Sequence, residues 1–187
     1  MDKRQSKKFK TVLIGAGQIS LEYQKGLNDS DYIDLRAIVD IDKNAIGFNV
    51  FPNTRRFFGV DELSSEDVDL AIVSTPPATH FDIIKKCLKK GWNVIVEKPF
   101  SLTMDSVIEA YEIAKDSGVF LNTSYHWQNG EEVKTFNKLY DPKLIKRIDI
   151  TVNDPYSVNG TSINTEKVCL AGAWIDSGVN ALSLIKT

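Results

Sequence analysis

Short apolar runs alternate with segments of helical periodicity from the start of the chain to about residue 122. Phe9 to Ile14 reads as a buried strand ended by Gly15, and Ile33 to Val39 as a second, ended by Asp40. Thr54 to Phe57 is a weaker strand. Val68 to Val73 and Trp92 to Val96 are strong ones, and Val119 to Leu121 closes the series. Continuous apolar runs of this length, separated by helices, predict parallel strands covered on both faces. Pro76 and Pro77 open one intervening helix, where a missing N–H costs little. Its apolar stripe is Phe81, Ile84, Cys87 and Leu88, and Gly91 stops it. A second helix starts near Thr103, is expected to turn Val107, Ile108 and Tyr111 inward, and stops at Ser117-Gly118. This alternation predicts an α/β fold with a doubly wound parallel sheet over residues 1–122.

The pattern changes after Asn122. A polar stretch from His126 to Glu132 leads into an amphipathic helix ending near Tyr140. Leu144 to Val152 reads as a strand, with Ile148, Ile150 and Val152 alternating. A polar loop covers 153–165. A last helix is expected from Ala173, still running at Lys186-Thr187, with Ile175, Val179 and Leu182 on its buried face. One strand cannot make a stable sheet, and the last helix has no Gly or Pro stop. Residues 123–187 therefore read as the start of a second, incomplete α/β domain.

Composition narrows the partners. The net charge of −2 carries no basic excess, so no nucleic-acid partner is expected. The basic start, Lys3-Arg4 and Lys7-Lys8, reads as a terminus with no apolar run of a secretory signal behind it. No stretch approaches the roughly 20 apolar residues that span a bilayer. Lys85, Lys86, Lys89 and Lys90 fall in the last turns of a helix, where positive charge is favoured. Cys87 and Cys169 are far apart, and His80 and His126 lack metal-ligand spacing, so neither a metal nor a disulfide is expected. A cytoplasmic location is the default expectation.

Gly15-Ala16-Gly17-Gln18-Ile19-Ser20 follows a strand and opens a helix, the context of a Rossmann-type dinucleotide fingerprint. Gly15 allows the tight turn, and Gly17 lets a pyrophosphate approach. Ser20 is small enough to pack helix on strand. The first-turn residues Gln18 and Ile19 bring backbone N–H groups and the positive end of the helix dipole. Asp40 and Ile41 lie where an acidic residue meets the adenosine ribose. A carboxylate there accepts from the 2′-OH and repels a 2′-phosphate, which favours NAD over NADP. The alternative for Asp40 is a helix N-cap, with the preceding glycines favouring the ribose role.

Two further motifs end strong strands, outside which ligands bind in open α/β sheets. Ser74-Thr75-Pro76-Pro77-Ala78-Thr79-His80 suits a cofactor contact or simply a helix start. Glu97-Lys98-Pro99 places a lysine suited to acid–base chemistry, or a lysine snorkelling to the surface. Finally, Asp176 and Asn180 are four residues apart and share a helix face. They suit a polyol, or an ordinary polar face.

Together and in this order, these motifs resemble the glucose–fructose oxidoreductase / inositol dehydrogenase (Gfo/Idh/MocA) family. The resemblance runs from the glycine turn to the end of the chain. It implies that Lys98 lies by the nicotinamide, with a Lys98–Pro99 bond that is usually cis. Asp176-Ser-Gly-Val-Asn180 resembles the family's Asp-x-Gly-x-His segment, with Asn in place of His. Asn180-Ala181-Leu182-Ser183 is similar to the branch that oxidises galactose or arabinose at the anomeric carbon. The resemblance thus implies an NAD(P)-dependent aldose 1-dehydrogenase with Lys98, Asp176 and Asn180 as catalytic residues. It also implies homo-oligomers built through the second-domain sheet. Rival expectations are a non-catalytic NAD-binding regulator or inactive fragment, a dehydrogenase of an inositol or of an amino- or nucleotide-sugar, and a lyase or isomerase using NAD transiently.

Overall fold

The computed structural model describes residues 7–152, 157–158, 161–162 and 177–185. The chain divides into two compact units, Met1–Thr123 and Ser124–Thr187.

The first unit is built on a six-stranded sheet. In chain order its elements are β1 (Phe9–Ile14), α1 (Ile19–Asp29), β2 (Ile33–Val39), the single turn α2 (Gly47–Val50), β3 (Arg55–Phe57), β4 (Leu70–Val73), α3 (Pro77–Lys89), β5 (Asn93–Glu97), α4 (Met104–Ser117) and β6 (Leu121–Ser124). The strand order is β3-β2-β1-β4-β5-β6. The ladders of β1 with β2 and β4, of β2 with β3 and of β4 with β5 are parallel. The order reverses between β1 and β4, so a crevice opens beyond their carboxyl ends.

Alternation along each strand sorts the core into two layers. Val12, Ile14, Ala37, Val39, Ala71, Val73, Val94 and Val96 face one side, packed with Ile84, Cys87 and Leu88 of α3 and Ala110 and Ala114 of α4. Leu13, Ile38, Leu70 and Ile72 face the other, packed with Leu27 of α1 and with Phe48 and Phe51 in and beside α2. Burial on both faces explains the unbroken apolar runs.

The helix ends follow local chemistry. Pro77 takes the first position of α3, where its missing N–H has no intrahelical partner to lose. The Thr103 hydroxyl accepts from the N–H of Ser106 to start α4, and Gly118 ends it in the left-handed conformation at φ +66°. The expected inward face of α4 needs correction. Ile108 and Tyr111 are exposed, and the buried positions are Ala110 and Ala114, with Val107 and Ile113 packed beside them. Close approach of α4 to the sheet favours small residues at the contact, so its larger apolar side chains lie to the flank.

The second unit contains a 3₁₀ turn at His126–Asn129, helix α5 (Glu131–Leu139), another 3₁₀ turn at Pro142–Leu144, and a two-residue antiparallel pair of β7 (Ser157–Val158) with β8 (Thr161–Ser162). Its last described helix is α6 (Val179–Ser183). The Gln128 side-chain N–H donates to the Ser183 carbonyl at 2.5 Å, joining the first turn to α6. The strand expected at Leu144 to Val152 does not form. Residues 145–152 carry no regular structure, and Ile148 and Ile150 are exposed. Alternation provides a face, but a strand also needs a neighbour to pair with, and no described strand runs beside this segment. In α6, Leu182 is exposed rather than buried, while Asn180 and Ala181 are buried. The predicted start of this helix at Ala173, with Ile175 and Asp176, and its end at Lys186-Thr187 lie outside the described residues, as does most of the 153–165 loop.

Candidate functional site

Beyond the carboxyl ends of β1, β2 and β4 lies a cavity of about 610 Å³. Gly15, Gly17, Asp40, Ile41, Ser74, Thr75 and Pro76 all line it. The topology therefore gathers three separate sequence motifs into one crevice.

Each glycine has a distinct reason to be there. Gly15 has φ +100°, and a Cβ on it would sit 2.6 Å from the Ser74 carbonyl carbon and 2.8 Å from the Thr75 nitrogen. The turn after β1 thus presses directly on the loop after β4. Gly17 meets nothing within 4 Å, which leaves open space for an incoming group. Ser20 is buried and donates its hydroxyl to the Gly17 carbonyl at 2.6 Å. No side chain caps the start of α1, where Gln18 and Ile19 stand exposed beside the cavity residue Gly17. A helix start of this kind, with N–H groups and a positive dipole end, suits a phosphate.

Asp40 braces the same turn. Its Oδ2 accepts from the Ala16 N–H at 2.7 Å and its Oδ1 from the Asp42 N–H at 2.9 Å. The alternative expected for Asp40, a helix N-cap, does not form: the helix that follows starts at Gly47 after Ile46, with no side-chain cap, and the carboxylate holds two turns instead. Ile41 is almost wholly exposed and joins Phe58 and Ile83 as apolar lining of the cavity. At the rim, Lys86 pairs with Asp61 at 2.6 Å. The hydrogen bond between them holds the lysine above its usual value and the carboxyl below, and both are solvent-exposed.

Ser74 sews the loops together. Its N–H donates to the Ile14 carbonyl at 2.7 Å and its hydroxyl lies 3.0 Å from the Gly15 carbonyl. Pro76 caps α3 from an extended conformation. Thr79 Oγ1 lies 2.8 Å from the Pro76 carbonyl and 2.9 Å from Thr75 Oγ1. His80 is not on the cavity wall. It is fully buried behind it, with Nδ1 2.9 Å from the Pro99 carbonyl and Nε2 2.6 Å from the Thr75 carbonyl. The direct cofactor contact expected of His80 gives way to a supporting position.

Glu97-Lys98-Pro99 leaves the end of β5, and the Lys98–Pro99 bond is cis. Glu97 accepts from the Tyr23 hydroxyl at 2.6 Å and from the Lys98 N–H at 3.2 Å. Lys98 is half-buried. In the second unit, Asn180 is buried and its Oδ1 has no hydrogen-bond partner. Its proposed companion Asp176 lies outside the described residues. Among the described residues, no group of His, Cys, Asp and Glu could hold a metal ion, and no helix is long and apolar enough to cross a membrane.

Sequence reasoning missed two supporting residues. Tyr23 carries no motif and reads as one more amphipathic helix position. Gly47 donates its N–H to the Ala16 carbonyl at 2.8 Å, and a Cβ there would meet Ser20 Oγ at 2.5 Å. A lone glycine at the start of a helical segment is the signal that could have drawn attention to it.

A parallel sheet reversed at β1/β4, with a glycine turn and an acidic strand end on one crevice, defines a Rossmann-type dinucleotide-binding fold. The chain belongs to the Gfo/Idh/MocA family, described as "Oxidoreductase family, NAD-binding Rossmann fold", which it matches over residues 9–125. It is 23% identical to the uncharacterized oxidoreductase YrbE of Bacillus subtilis, over 97% of this chain and 54% of that protein. Among solved structures it is similar to GenD2 from gentamicin A biosynthesis in complex with NAD, with a TM-score of 0.78 and 22% identity over 98% of this chain and 54% of that one. It also resembles scyllo-inositol dehydrogenase from Lactobacillus casei with bound NAD(H) and scyllo-inositol. There the TM-score is 0.64 and the identity 15%, over 71% of this chain and 41% of that one. The chain thus spans about half the length of these relatives or less.

Proposed function

We propose that this chain binds NAD in the crevice at β1/β4 and belongs to an enzyme that oxidises a C–OH group of a sugar or polyol, most closely an aldose at its anomeric carbon. The observation that carries the reading is the cavity lined jointly by Gly15, Gly17, Asp40 and Ser74–Pro76. The open space at Gly17 fits a pyrophosphate and the carboxylate of Asp40 fits a ribose diol. A 2′-phosphate beside Asp40 would meet negative charge, so NAD is preferred over NADP. The nicotinamide, when bound, supplies the hydride acceptor.

Lys98 would take the substrate hydroxyl proton, directly or through water, with Asp176 sharing that task. Asn180 cannot titrate, so it would orient the sugar hydroxyl. A buried amide oxygen with no partner is costly unless something donates to it. A substrate hydroxyl has the right chemistry to do so. We further propose that residues 1–122 form the cofactor domain and 123–187 the start of a substrate and oligomerisation domain, working in the cytoplasm. The substrate class is in keeping with the L. casei structure, which holds scyllo-inositol with NAD(H).

The test is an aldose and polyol panel monitored by NADH absorbance, on this chain and on any longer reading frame that contains it. Turnover with an aldose and loss of it in Lys98→Ala, with NAD affinity kept, is the expected result. NAD binding without turnover in either would leave the second reading, a non-catalytic NAD-binding protein.

A further inference from the structure

The cavity beyond β1 and β4 is bordered by α3 and by the 3₁₀ turn at Val60–Glu62, both in the first unit. Asp82 and Lys86 line it from α3, one helical turn apart, and Asp61 lines it from the 3₁₀ turn. Among the described residues that line it, Lys86 is the only cation, against the carboxylates of Asp40, Asp61 and Asp82. Its ammonium donates to Asp61 Oδ2 at 2.6 Å. The positive charge of the wall is therefore already engaged by a carboxylate of the same wall. Asp61, Asp82 and Lys86 together leave this stretch with net negative charge. NADP differs from NAD by a 2′-phosphate, and protein sites receive phosphates with the ammonium of Lys or the guanidinium of Arg.

We propose that Asp61 is a specificity-determining residue for the dinucleotide: by engaging Lys86, it withholds from a 2′-phosphate the cation that the cavity wall would otherwise offer. This rests on the reading of the crevice as an NAD site. Asp40 and Asp61 then discriminate by different routes. Asp40 repels the phosphate from the end of β2, and Asp61 removes an attraction. Specificity is a difference of affinities, and both routes enlarge it. Lysine carries its charge on a flexible four-carbon stem, so an unpaired Lys86 can turn towards an anion in the cavity. The pair is solvent-exposed at both ends. Exposed pairs contribute little to stability, so removing this one should alter the choice of ligand more than the fold.

Asp61→Asn keeps the shape of the side chain and removes its charge. Calorimetric titration of the full chain with NAD and NADP reads the ratio of the two Kd values, which damage to the fold alone would not move. In Asp61→Asn the Kd of NADP relative to that of NAD should fall about fivefold, the size of an exposed ion pair. NAD should stay preferred, because Asp40 is still in place. Adding Lys86→Met should restore the parent's ratio. In about 1 M salt, where the screening length is about 3 Å, the ratios of parent and Asp61→Asn should converge. An unmoved ratio in Asp61→Asn overturns the proposal. So does a gain that survives Lys86→Met, which would assign the cation to another residue, such as Lys43 over the Phe58 ring. A parent chain that binds neither dinucleotide refutes the NAD reading and the proposal with it, whereas NAD binding with an unmoved ratio refutes the proposal alone.

Discussion

The carboxylate of Asp40 accepts a hydrogen bond from the backbone N–H of Ala16 at 2.7 Å. The glycine turn and the acidic end of β2 are therefore one mechanical unit. Asp40 holds the turn from the neighbouring strand, and its other oxygen holds the Asp42 N–H. A carboxylate has about four lone-pair sites, so these two bonds leave acceptor capacity for a ribose.

Asp40→Ala should weaken both roles. Hydrogen bonds to charged groups are worth about 1.5–3 kcal/mol, and NAD affinity should fall by a loss in that range. NADP affinity should fall less, because the repulsion of its 2′-phosphate is relieved as well. Calorimetric titration with both nucleotides checks this. An unchanged NAD to NADP ratio would show that Asp40 does not select.

Two glycines separate cofactor access from packing. Gly17→Ala meets no atom within 4 Å, so the melting temperature should hold while NAD affinity drops. Gly47→Ala meets Ser20 Oγ at 2.5 Å and the Ala16 carbonyl oxygen at 2.8 Å. Overpacking of that kind costs about 1–3 kcal/mol, so this variant should melt lower as well as bind NAD less tightly. Thermal melts and NAD titrations of the two variants side by side make the comparison. Equal melting temperatures would refute the packing role of Gly47.

Much of the first unit is legible in the sequence because its signals are local and repeated. Strands buried on both faces are continuous apolar runs, and Gly15, Pro77 and Gly118 punctuate them. Boundaries moved where burial precedes pairing: Val68 is buried, yet β4 begins at Leu70. Tyr23, Gly47 and the buried seat of His80 were not legible, since each depends on a partner distant in sequence. Segment 144–152 misled for a related reason. Its alternation marks a face suited to a sheet, but pairing is a property of two segments, and sequence periodicity reports only one.

Burial pushes the Cys87 thiol up to about 12, well above its usual range. An unfolded thiol titrates at about 8.5, so above that pH the unfolded chain loses a proton that the folded chain keeps. This group's contribution is fully present below the unfolded value and is lost as pH rises towards 12, by about 1.4 kcal/mol per pH unit. Cys87→Ala should therefore be less stable than the parent near neutrality, through the cavity it leaves, and close the gap above pH 9. Urea unfolding of both chains at several alkaline pH values tests it. Parallel stability curves would mean that Cys87 is not held protonated.

Tyr23 on α1 donates to Glu97 at the end of β5, at 2.6 Å, and the same carboxylate accepts from the Lys98 N–H at 3.2 Å. One carboxylate thus couples the helix that begins at the glycine turn to the backbone of Lys98. Tyr23→Phe keeps the ring and removes the donor. Loss of a hydrogen bond to a charged group costs about 1.5–3 kcal/mol when its partner stays buried. Glu97 is only half-buried, and water can replace the hydroxyl, so the stability loss should lie near or below the bottom of that range. If this link positions Lys98, turnover should suffer more than stability does, with kcat lowered and NAD affinity nearly kept. Glu97→Gln keeps one acceptor oxygen and turns its NH2 toward the other donor, so it should recover only part of the loss seen in Glu97→Ala. A Tyr23→Phe chain with the parent's melting temperature and turnover would show that the contact is incidental.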